Sequence, residues 1–321
     1  MKLLKNHWKK IIVGVIALFV LIQLAGGIFF YDLAIKRGPK EFLQNNADLD
    51  VADESMDLYL NGDWTSWVAD QDFEQLTMTS RDGIELNGYF LPAAKPSGKL
   101  VILTHGYLGN AKQMGLFGMF YYQELGYNLF MPDARGHGKS GGTYYGFGWP
   151  DRLDLIDWTD LLTGKLGQQT EVVYHGLSMG AATVLMASGE EELPKQVKAI
   201  VADSPYGSVY QLFAYQMNRM FHLPAFPLLD STSLITKLRA GYFFREANSL
   251  EAVKHTDVPI LYIHGDSDTF VPLKNALELY NSTSSSTELL VVEGANHGES
   301  YAKEPGLYRE KVGQFLGNIV K

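Results

Sequence analysis

Apolar residues are distributed along this 321-residue chain in two different ways. Near the N-terminus, residues 11–30 carry no charge, and Gln23 is the only strongly polar side chain among them. A helix of this length, at about 1.5 Å per residue, reaches about 30 Å, the thickness of the hydrocarbon core of a bilayer. From residue 73 onward, short apolar runs alternate with longer amphipathic stretches. The pattern predicts one membrane-crossing helix followed by a domain of alternating strands and helices.

The domain, residues 73–321, begins with a predicted hairpin, because two strand-like runs flank the turn Arg81-Asp82-Gly83. Further strands are predicted at 100–104, 127–131, 171–174, 197–202, 258–263 and 288–292, and helices at 110–125, 153–166, 181–188, 273–280 and 301–319. Strands separated by helices imply a mostly parallel sheet with helices on both faces. Residues 204–255 interrupt the alternation, and their position predicts a lid over the C-terminal edge of the sheet.

Four lysines precede the apolar segment. Because positively charged flanks remain in the cytoplasm, we expect residues 1–10 to be cytoplasmic, residues 11–30 to be a single-pass signal anchor in the cell membrane, and the rest of the chain to lie outside. A cleaved signal peptide is the alternative, since Ala25-Gly26-Gly27 supplies the small residues of a cleavage site. A buried core helix is a further alternative, although core helices are rarely free of charge over such a length.

Residues 31–72 are predicted to form a stalk between the apolar segment and the domain. Part of this stretch is acidic, with Asp48 and Asp50 among its charges. Further along, residues 58–68 carry apolar side chains at helical spacing, so a short helix that packs on the domain is expected there. Two tryptophans in that helix are assigned to packing rather than to substrate binding.

The charge of the chain excludes one class of partner. The net charge is −9, but residues 41–321 carry 20 basic and 35 acidic residues, a net charge of −15. A body of this charge would repel a phosphate backbone, so nucleic-acid binding is not expected. The chain also has no cysteine, which excludes disulfides, a cysteine nucleophile, thiolate metal sites and a lipoprotein anchor.

The strongest chemical signal is Gly176-Leu177-Ser178-Met179-Gly180, which matches the pattern G-x-S-x-G. It follows a predicted strand and opens a predicted helix. In that context a serine occupies a strained turn that exposes its Oγ above the sheet, and the glycines let neighbouring backbone pass. We therefore predict Ser178 to be a nucleophile. A glycine-rich structural turn is the alternative.

At this point the sequence resembles the α/β-hydrolase superfamily, in particular its membrane-anchored serine aminopeptidase and esterase-like group, over residues 73–319. In that family the acid and the base follow the serine in chain order. The segment from His264 to Pro272 is similar to the family pattern H-G-x-x-D-x-x-V-P, which implies Asp268 as the acid. Gly294-Ala295-Asn296-His297 is similar to G-x-x-H, which implies His297 as the base. Asp203, at the end of another predicted strand, is the alternative acid.

The resemblance also implies an oxyanion hole. His105-Gly106-Tyr107 follows a predicted strand, and in the family the residue after His-Gly supplies one backbone N–H. This maps to Tyr107, with the second N–H from Met179, and His105 itself is expected to be structural. Such donors stabilise the oxyanion of a tetrahedral intermediate, typically by about 3 kcal/mol each.

Two other patterns near these residues point to cofactors. Gly136, Gly138 and Gly141 satisfy G-x-G-x-x-G, but no helix is predicted directly after them to receive a pyrophosphate. His264 and Asp266, together with the predicted acid and base, could form a metal site, yet a triad explains two of these four residues better. We therefore expect neither a cofactor nor a metal.

Aromatic and methionine side chains of the predicted lid favour an apolar substrate. Phe213, Met217, Met220 and Phe270 are the candidate substrate-binding residues. The resulting hypothesis is a carboxylesterase-like serine hydrolase that acts on a small acyl substrate. Lipase, thioesterase and peptidase activities share the same triad and stay open, as does a non-catalytic surface protein that uses the fold for binding.

Overall fold

The computed structural model describes residues 2–43 and 52–321, and its centre is a single eight-stranded sheet. The strands are β1 (Glu74–Thr79), β2 (Glu85–Leu91), β3 (Lys99–Thr104), β4 (Asn128–Asp133), β5 (Glu171–Leu177), β6 (Val197–Asp203), β7 (Ile260–Gly265) and β8 (Thr287–Val292). Their order across the sheet is β1-β2-β4-β3-β5-β6-β7-β8. Strand β2 is antiparallel to both of its neighbours, and the pairs from β4 to β8 are parallel. The mostly parallel sheet predicted from the sequence is confirmed.

The α-helices are α1 (Lys2–Phe30), α2 (Asp53–Asn61), α3 (Asp63–Asp70), α4 (Gly115–Gln123), α5 (Asp151–Leu166), α6 (Met179–Ser188), α7 (Val209–Phe221), α8 (Leu228–Ala240), α9 (Ser249–Ala252), α10 (Lys274–Ser282), α11 (Ser300–Lys303) and α12 (Pro305–Gly317). The helix predicted at 301–319 is wrong in one respect, because it is divided into α11 and α12. Pro305 starts α12, and the residue before a proline is driven out of the helical region, as Glu304 is here with φ −133° and ψ 63°.

Both faces of the sheet are covered. On one face, Phe117, Tyr308 and Phe315 belong to a core cluster that also contains Trp64 and Val68 of α3. On the other face, side chains of α5 and α6 pack against the opposite sides of the same strands. This alternation explains why the strands read as continuous apolar runs, since a strand covered on both faces has no solvated side.

Helix α1 continues through one π-helical turn, Tyr31–Ile35, and is long and apolar enough to cross a membrane. Its most apolar stretch has a mean hydropathy of 2.7, and only 6% of that stretch is buried within the protein. A core helix would be buried, so the core-helix alternative does not describe α1. By length and composition α1 is a candidate membrane span.

The predicted stalk packs on the domain over its described residues. Tyr31 and Ile35 are buried, Lys36 forms an isolated β-bridge with Tyr144, and the predicted short helix is the pair α2 and α3. Residues 44–51, which include the acidic positions Asp48 and Asp50, lie outside the described residues.

Residues 204–255, called the insertion below, contain α7, α8 and α9. They follow β6 at the C-terminal edge of the sheet. Their apolar side chains form a third core cluster that also contains Tyr31 and Ile35 from the end of α1. The insertion thus joins the N-terminal helix to the edge of the sheet where the predicted nucleophile lies.

Candidate active site

Ser178 lies in the turn between β5 and α6, with φ 54° and ψ −111°. A positive φ is unfavourable for a residue with a Cβ, so this turn is strained. The turn requires small neighbours: a Cβ on Gly180 would collide with the carbonyl oxygen of Thr104, and one on Gly176 would collide with the backbone of Gly180. The G-x-S-x-G pattern therefore describes the packing that this turn needs.

His297 lies in the loop after β8 and contacts Ser178 directly. The distance from His297 Nε2 to Ser178 Oγ is 2.8 Å, which is hydrogen-bond distance. The ring of Phe270 lies beside the imidazole, with the ring centroids 5.1 Å apart. An imidazole nitrogen at this position can accept the hydroxyl proton of Ser178.

Asp268 completes the contact chain from the loop after β7. Its Oδ2 lies 2.7 Å from Nδ1 of His297, and its Oδ1 accepts backbone N–H bonds from Phe270 and Val271. Burial by itself raises the pKa of Asp268, but the charge of His297 and hydrogen bonds from His264 and His297 outweigh it and hold the pKa well below its usual value. The carboxylate is therefore ionised and can hold Nδ1 as the protonated nitrogen.

His264 also contacts this acid. The sequence analysis placed His264 at the start of the family-like segment and in a potential metal group, but it gave the residue no role beside Asp268. The imidazole is fully buried, and its Nε2 lies 2.6 Å from the carbonyl oxygen of Val271 and 3.2 Å from Asp268 Oδ2. His264, near the end of β7, therefore holds in place the loop that carries Asp268. Within the described residues, no group of three or more His, Asp or Glu side chains is arranged to hold a metal.

Asp203, the alternative acid, is buried and bonded elsewhere. Its carboxylate accepts hydrogen bonds from Ser204 Oγ at 2.9 Å and from the hydroxyl of Tyr308 at 3.0 Å. Burial raises the pKa of Asp203 to about 6, and these two hydrogen bonds oppose the rise. Since the Nδ1 of His297 is bonded to Asp268, the geometry favours Asp268 as the acid.

The turn at His105-Gly106-Tyr107 is held by two histidines. His105 accepts a hydrogen bond from Ala134 N at 3.0 Å, and His137 accepts one from Leu108 N at 3.2 Å. Burial lowers the pKa of both imidazoles, to about 3 for His137, so both stay neutral and can accept. Within the described part of the chain, the N–H groups of Tyr107 and Met179 donate to no protein acceptor. They are available to an oxyanion.

A narrow apolar cavity of about 80 Å³ extends from Ser178 between the insertion and the end of α1. All four candidate substrate-binding residues line it: Phe213, Met217, Met220 and Phe270. The sequence analysis missed the part of the wall that comes from the N-terminal region, namely Phe30, Leu33, Ala34 and Phe42. It also missed Gln216, whose Nε2 donates to the carbonyl oxygen of Phe270 while its Oε1 is buried with no partner among the described residues.

A second cavity meets the first at Ser178 and lies against α2, α3 and α4. The two cavities share Leu43, Tyr107 and Phe270 as well as the serine. Among the described residues, no Asp, Glu, Lys or Arg lines either cavity. A ligand with an apolar group on each side of Ser178 matches this lining.

The glycine-rich segment after β4 is occupied by the protein itself. The guanidinium of Arg37 donates to the carbonyl oxygens of Gly138, Ser140 and Gly142, and the N–H of Lys139 donates to Asp133. The next helix, α5, begins only at Asp151. The segment therefore serves to dock the chain that follows α1.

The chain is similar to known proteins both in sequence and in fold. A model of the prolyl oligopeptidase family matches residues 115–321. The Bacillus subtilis (strain 168) protein YqkD is 29% identical over 316 residues, which cover 97% of this chain and 98% of YqkD. The solved structure of the Pyrococcus furiosus esterase Pf2001 is similar with a TM-score of 0.66 and 28% identity, covering 81% of this chain and 96% of the esterase.

A second solved structure, the acylaminoacyl peptidase of Pyrococcus horikoshii, has a TM-score of 0.58 and 17% identity. The match covers 77% of this chain and 42% of the peptidase. At this identity the likeness concerns the fold alone. Both an esterase and a peptidase thus share the arrangement of strands and helices described above.

Proposed function

Because the chain belongs to the prolyl oligopeptidase family and is a serine hydrolase of the α/β-hydrolase fold, we propose that it cleaves acyl esters through Ser178, His297 and Asp268. The observation that carries the proposal is the pair of contacts at 2.8 and 2.7 Å that links the serine to the imidazole and the imidazole to the carboxylate. No cofactor enters the proposed reaction.

In the proposed reaction, His297 takes the proton of Ser178 as Oγ attacks the ester carbonyl. The tetrahedral oxyanion accepts hydrogen bonds from the N–H groups of Tyr107 and Met179. When the intermediate collapses, the ester C–O bond breaks, His297 returns the proton to the leaving alcohol, and the acyl group stays on Ser178. A water molecule, deprotonated by His297, then attacks the acyl carbonyl. The bond to Ser178 breaks, Oγ regains the proton from His297, and the carboxylic acid is released. Asp268 holds the imidazole orientation and stabilises its cationic form.

The lining of the two cavities supports an ester in preference to an aminopeptidase substrate. A free α-ammonium group needs a carboxylate partner, because an unpaired buried cation is costly. No Asp or Glu among the described residues lines either cavity. Asp230, the only acid on α7 and α8, is 3.6 Å from Arg245 and accepts a hydrogen bond from Tyr210. Lipase, thioesterase and peptidase activities are alternatives that use the same triad.

We also propose that α1 anchors the protein in the cell membrane with the body outside. Lysines before the apolar segment support this orientation through the positive-inside rule. The contacts of Gln23 with Ser231 and of Gly26 with Leu228 support a chain that keeps α1 after synthesis.

A covalent serine probe tests the proposed nucleophile. Wild-type protein should react with a fluorophosphonate, and Ser178→Ala should lose both labelling and at least about a thousandfold in turnover of any cleaved ester. Ser188→Ala is the matched control, since Ser188 ends the same helix and its Oγ donates only to the carbonyl oxygen of Leu185. Equal labelling of wild type and Ser178→Ala would reject the assignment, and no labelling of the folded wild type would favour the non-catalytic alternative.

A substrate panel tests the bond that is cleaved. Nitrophenyl esters of rising chain length should be accelerated more, relative to their uncatalysed rates, than aminoacyl nitroanilides. The gain per added methylene should approach about 0.8 kcal/mol until the cavity is full. Preference for the anilides on this scale would replace the esterase proposal by a peptidase.

A further inference from the structure

We infer that the apolar cavity at Ser178 takes its substrate directly from the membrane, so that the substrate class is an acyl ester whose chain lies in the bilayer leaflet at the C-terminal end of α1. This inference deepens the proposed esterase function and depends on it. It follows from where α1, the insertion and the cavity meet.

The C-terminal end of helix α1 is part of the domain rather than a free tether, because it packs closely on α8. A Cβ on Gly26 would lie 2.5 Å from Leu228 Cδ1, and one on Gly27 would lie 3.0 Å from the backbone of Ser231. The Oγ of Ser231 donates to the side-chain oxygen of Gln23 at 3.3 Å. Small residues of this kind allow the close approach of helices that pack within membranes.

The contact between α1 and α8 sets the depth of the insertion. Gln23 precedes Phe30 by seven residues, which is about 10 Å along the helix, so this contact lies within the span predicted at 11–30. Farther along both helices, Arg239 lies 3.4 Å from Asp32. The two helices therefore run in the same direction. The loop that precedes α8, residues 222–227, runs from Phe221, which meets Phe30, to Leu228, which meets Gly26, and so lies along the outer end of the predicted span.

Apolar side chains at this end of the insertion are uncovered. Phe226 is 75% exposed, and Leu223 and, on α8, Leu234 are also exposed. In water such a surface is unfavourable, and it marks a contact with a membrane or a partner. Here the membrane helix itself lies against the same helix α8, so the bilayer is the surface that these side chains would meet.

The apolar cavity at Ser178 extends to the point where the end of α1 meets the insertion. Phe30, Leu33 and Ala34 from the end of α1 line it together with Phe221 and Leu229 of the insertion. The rings of Phe30 and Phe221 meet edge to face, with their centroids 5.3 Å apart. An acyl chain that moves along α1 out of the bilayer would thus pass from lipid into the cavity between apolar side chains and reach Ser178 without exposure to water.

A spectroscopic experiment tests the depth without using activity. The chain has no cysteine, so single replacements can carry a nitrobenzoxadiazole probe without background labelling. The full chain is placed in vesicles of phosphatidylglycerol and phosphatidylethanolamine that contain nitroxide-labelled lipid. The probe on Phe226→Cys should be quenched, and the probe on Leu307→Cys, at an exposed position of α12, should not be. Equal quenching at the two sites, or quenching at neither, would overturn the inference.

A kinetic experiment tests the substrate class in the same vesicles. Two esters with one leaving group are compared, methylumbelliferyl butyrate in solution and methylumbelliferyl oleate in the bilayer. The double variant Leu223→Ser, Phe226→Ser should lower the ratio of oleate to butyrate turnover by at least about tenfold, because two apolar side chains leave the leaflet. Leu307→Ser is the matched control and should keep the ratio within about twofold.

The outcomes separate the two proposals. Hydrolysis of butyrate that requires Ser178, with an oleate-to-butyrate ratio unaffected by the double variant, would overturn the membrane route and leave the esterase standing; the exposed side chains would then face another protein. No hydrolysis of either ester by folded, probe-reactive protein would reject the esterase proposal itself.

Discussion

The hydroxyl of Tyr107 donates a hydrogen bond of 2.6 Å to the carbonyl oxygen of Ala34, a residue 73 positions earlier in the chain. Ala34 lies in the turn that ends the N-terminal helix, and the backbone N–H of Tyr107 is the proposed oxyanion donor. One side chain therefore links the end of the candidate membrane span to the backbone next to Ser178. The same ring lines both cavities that meet at the serine.

Removal of the Tyr107 hydroxyl measures how much its hydrogen bond to Ala34 contributes to stability. Tyr107→Phe keeps the ring and the backbone N–H but leaves the Ala34 carbonyl without its donor. We expect a loss of about 1 kcal/mol in the free energy of unfolding and a fall in Tm of a few degrees. Ester turnover should fall by less than in Ser178→Ala. Tyr127→Phe is the control, because the Tyr127 hydroxyl makes no hydrogen bond within the described residues. Equal Tm changes in the two variants would show that the link contributes nothing specific.

Separate replacement of the two candidate acids by asparagine distinguishes a catalytic role from a role in stability. Asp268→Asn should lower kcat on the order of a thousandfold or more, because the imidazole of His297 loses the carboxylate that fixes its protonated nitrogen. Asp203→Asn should act mainly on stability, since Asp203 bonds Tyr308 and Ser204 instead. Turnover is measured at equal folded concentration, checked by circular dichroism. A larger kcat loss in Asp203→Asn would move the acid to that residue.

The neutral histidine at the oxyanion turn makes stability depend on pH. Burial, with a smaller effect of neighbouring His105, lowers the pKa of His137 to about 3, whereas a histidine in the unfolded chain titrates at about 6.5. Between these values the unfolded state binds a proton that the folded state does not. Stability supplied by this residue is therefore lost as pH falls below about 6.5, by up to about 1.4 kcal/mol per pH unit.

The variant that tests this is His137→Gln, because glutamine has no group that takes up a proton in this pH range. Urea unfolding of both proteins at about pH 7, 6 and 5 should show their stability difference narrowing as the pH falls. Buried Asp203 and Asp151, whose pKa values are raised to about 6 by burial, change both proteins equally and cancel in this difference. A constant difference across the range would contradict the prediction.

Protease accessibility tests the proposed orientation. Protease added to intact cells should digest the body and leave a membrane-bound fragment that contains α1, because the N-terminal lysines retain that end inside. Mass spectrometry of the undigested protein should find residues 11–30 still attached. Protection of the body until the cells are lysed would reverse the topology, and a chain that begins after Gly27 would establish the cleaved signal peptide.

The sequence determined the features that local patterns encode. Alternation of short apolar runs and amphipathic stretches predicted a mostly parallel sheet and the positions of most strands and helices, since each strand or helix has its own hydrophobic period. The Ser178 turn was readable because strand, glycines and helix are neighbours in the chain. Asp268 and His297 were found only through family-like segments, since each lies far from Ser178 in sequence and nothing local states that they meet.

Only the tertiary structure decided how the N-terminal region relates to the site. Gly26 and Gly27 suggest a cleavage site in the sequence, yet in the fold they lie where α1 crosses α8, about 200 residues later. Phe30 and Ala34 showed no sign of lining a cavity, because their partners come from the insertion and from the turn at Tyr107. Such contacts depend on how separate elements pack. A pattern of hydrophobicity reports that a side chain will be covered but does not specify which distant residue will cover it.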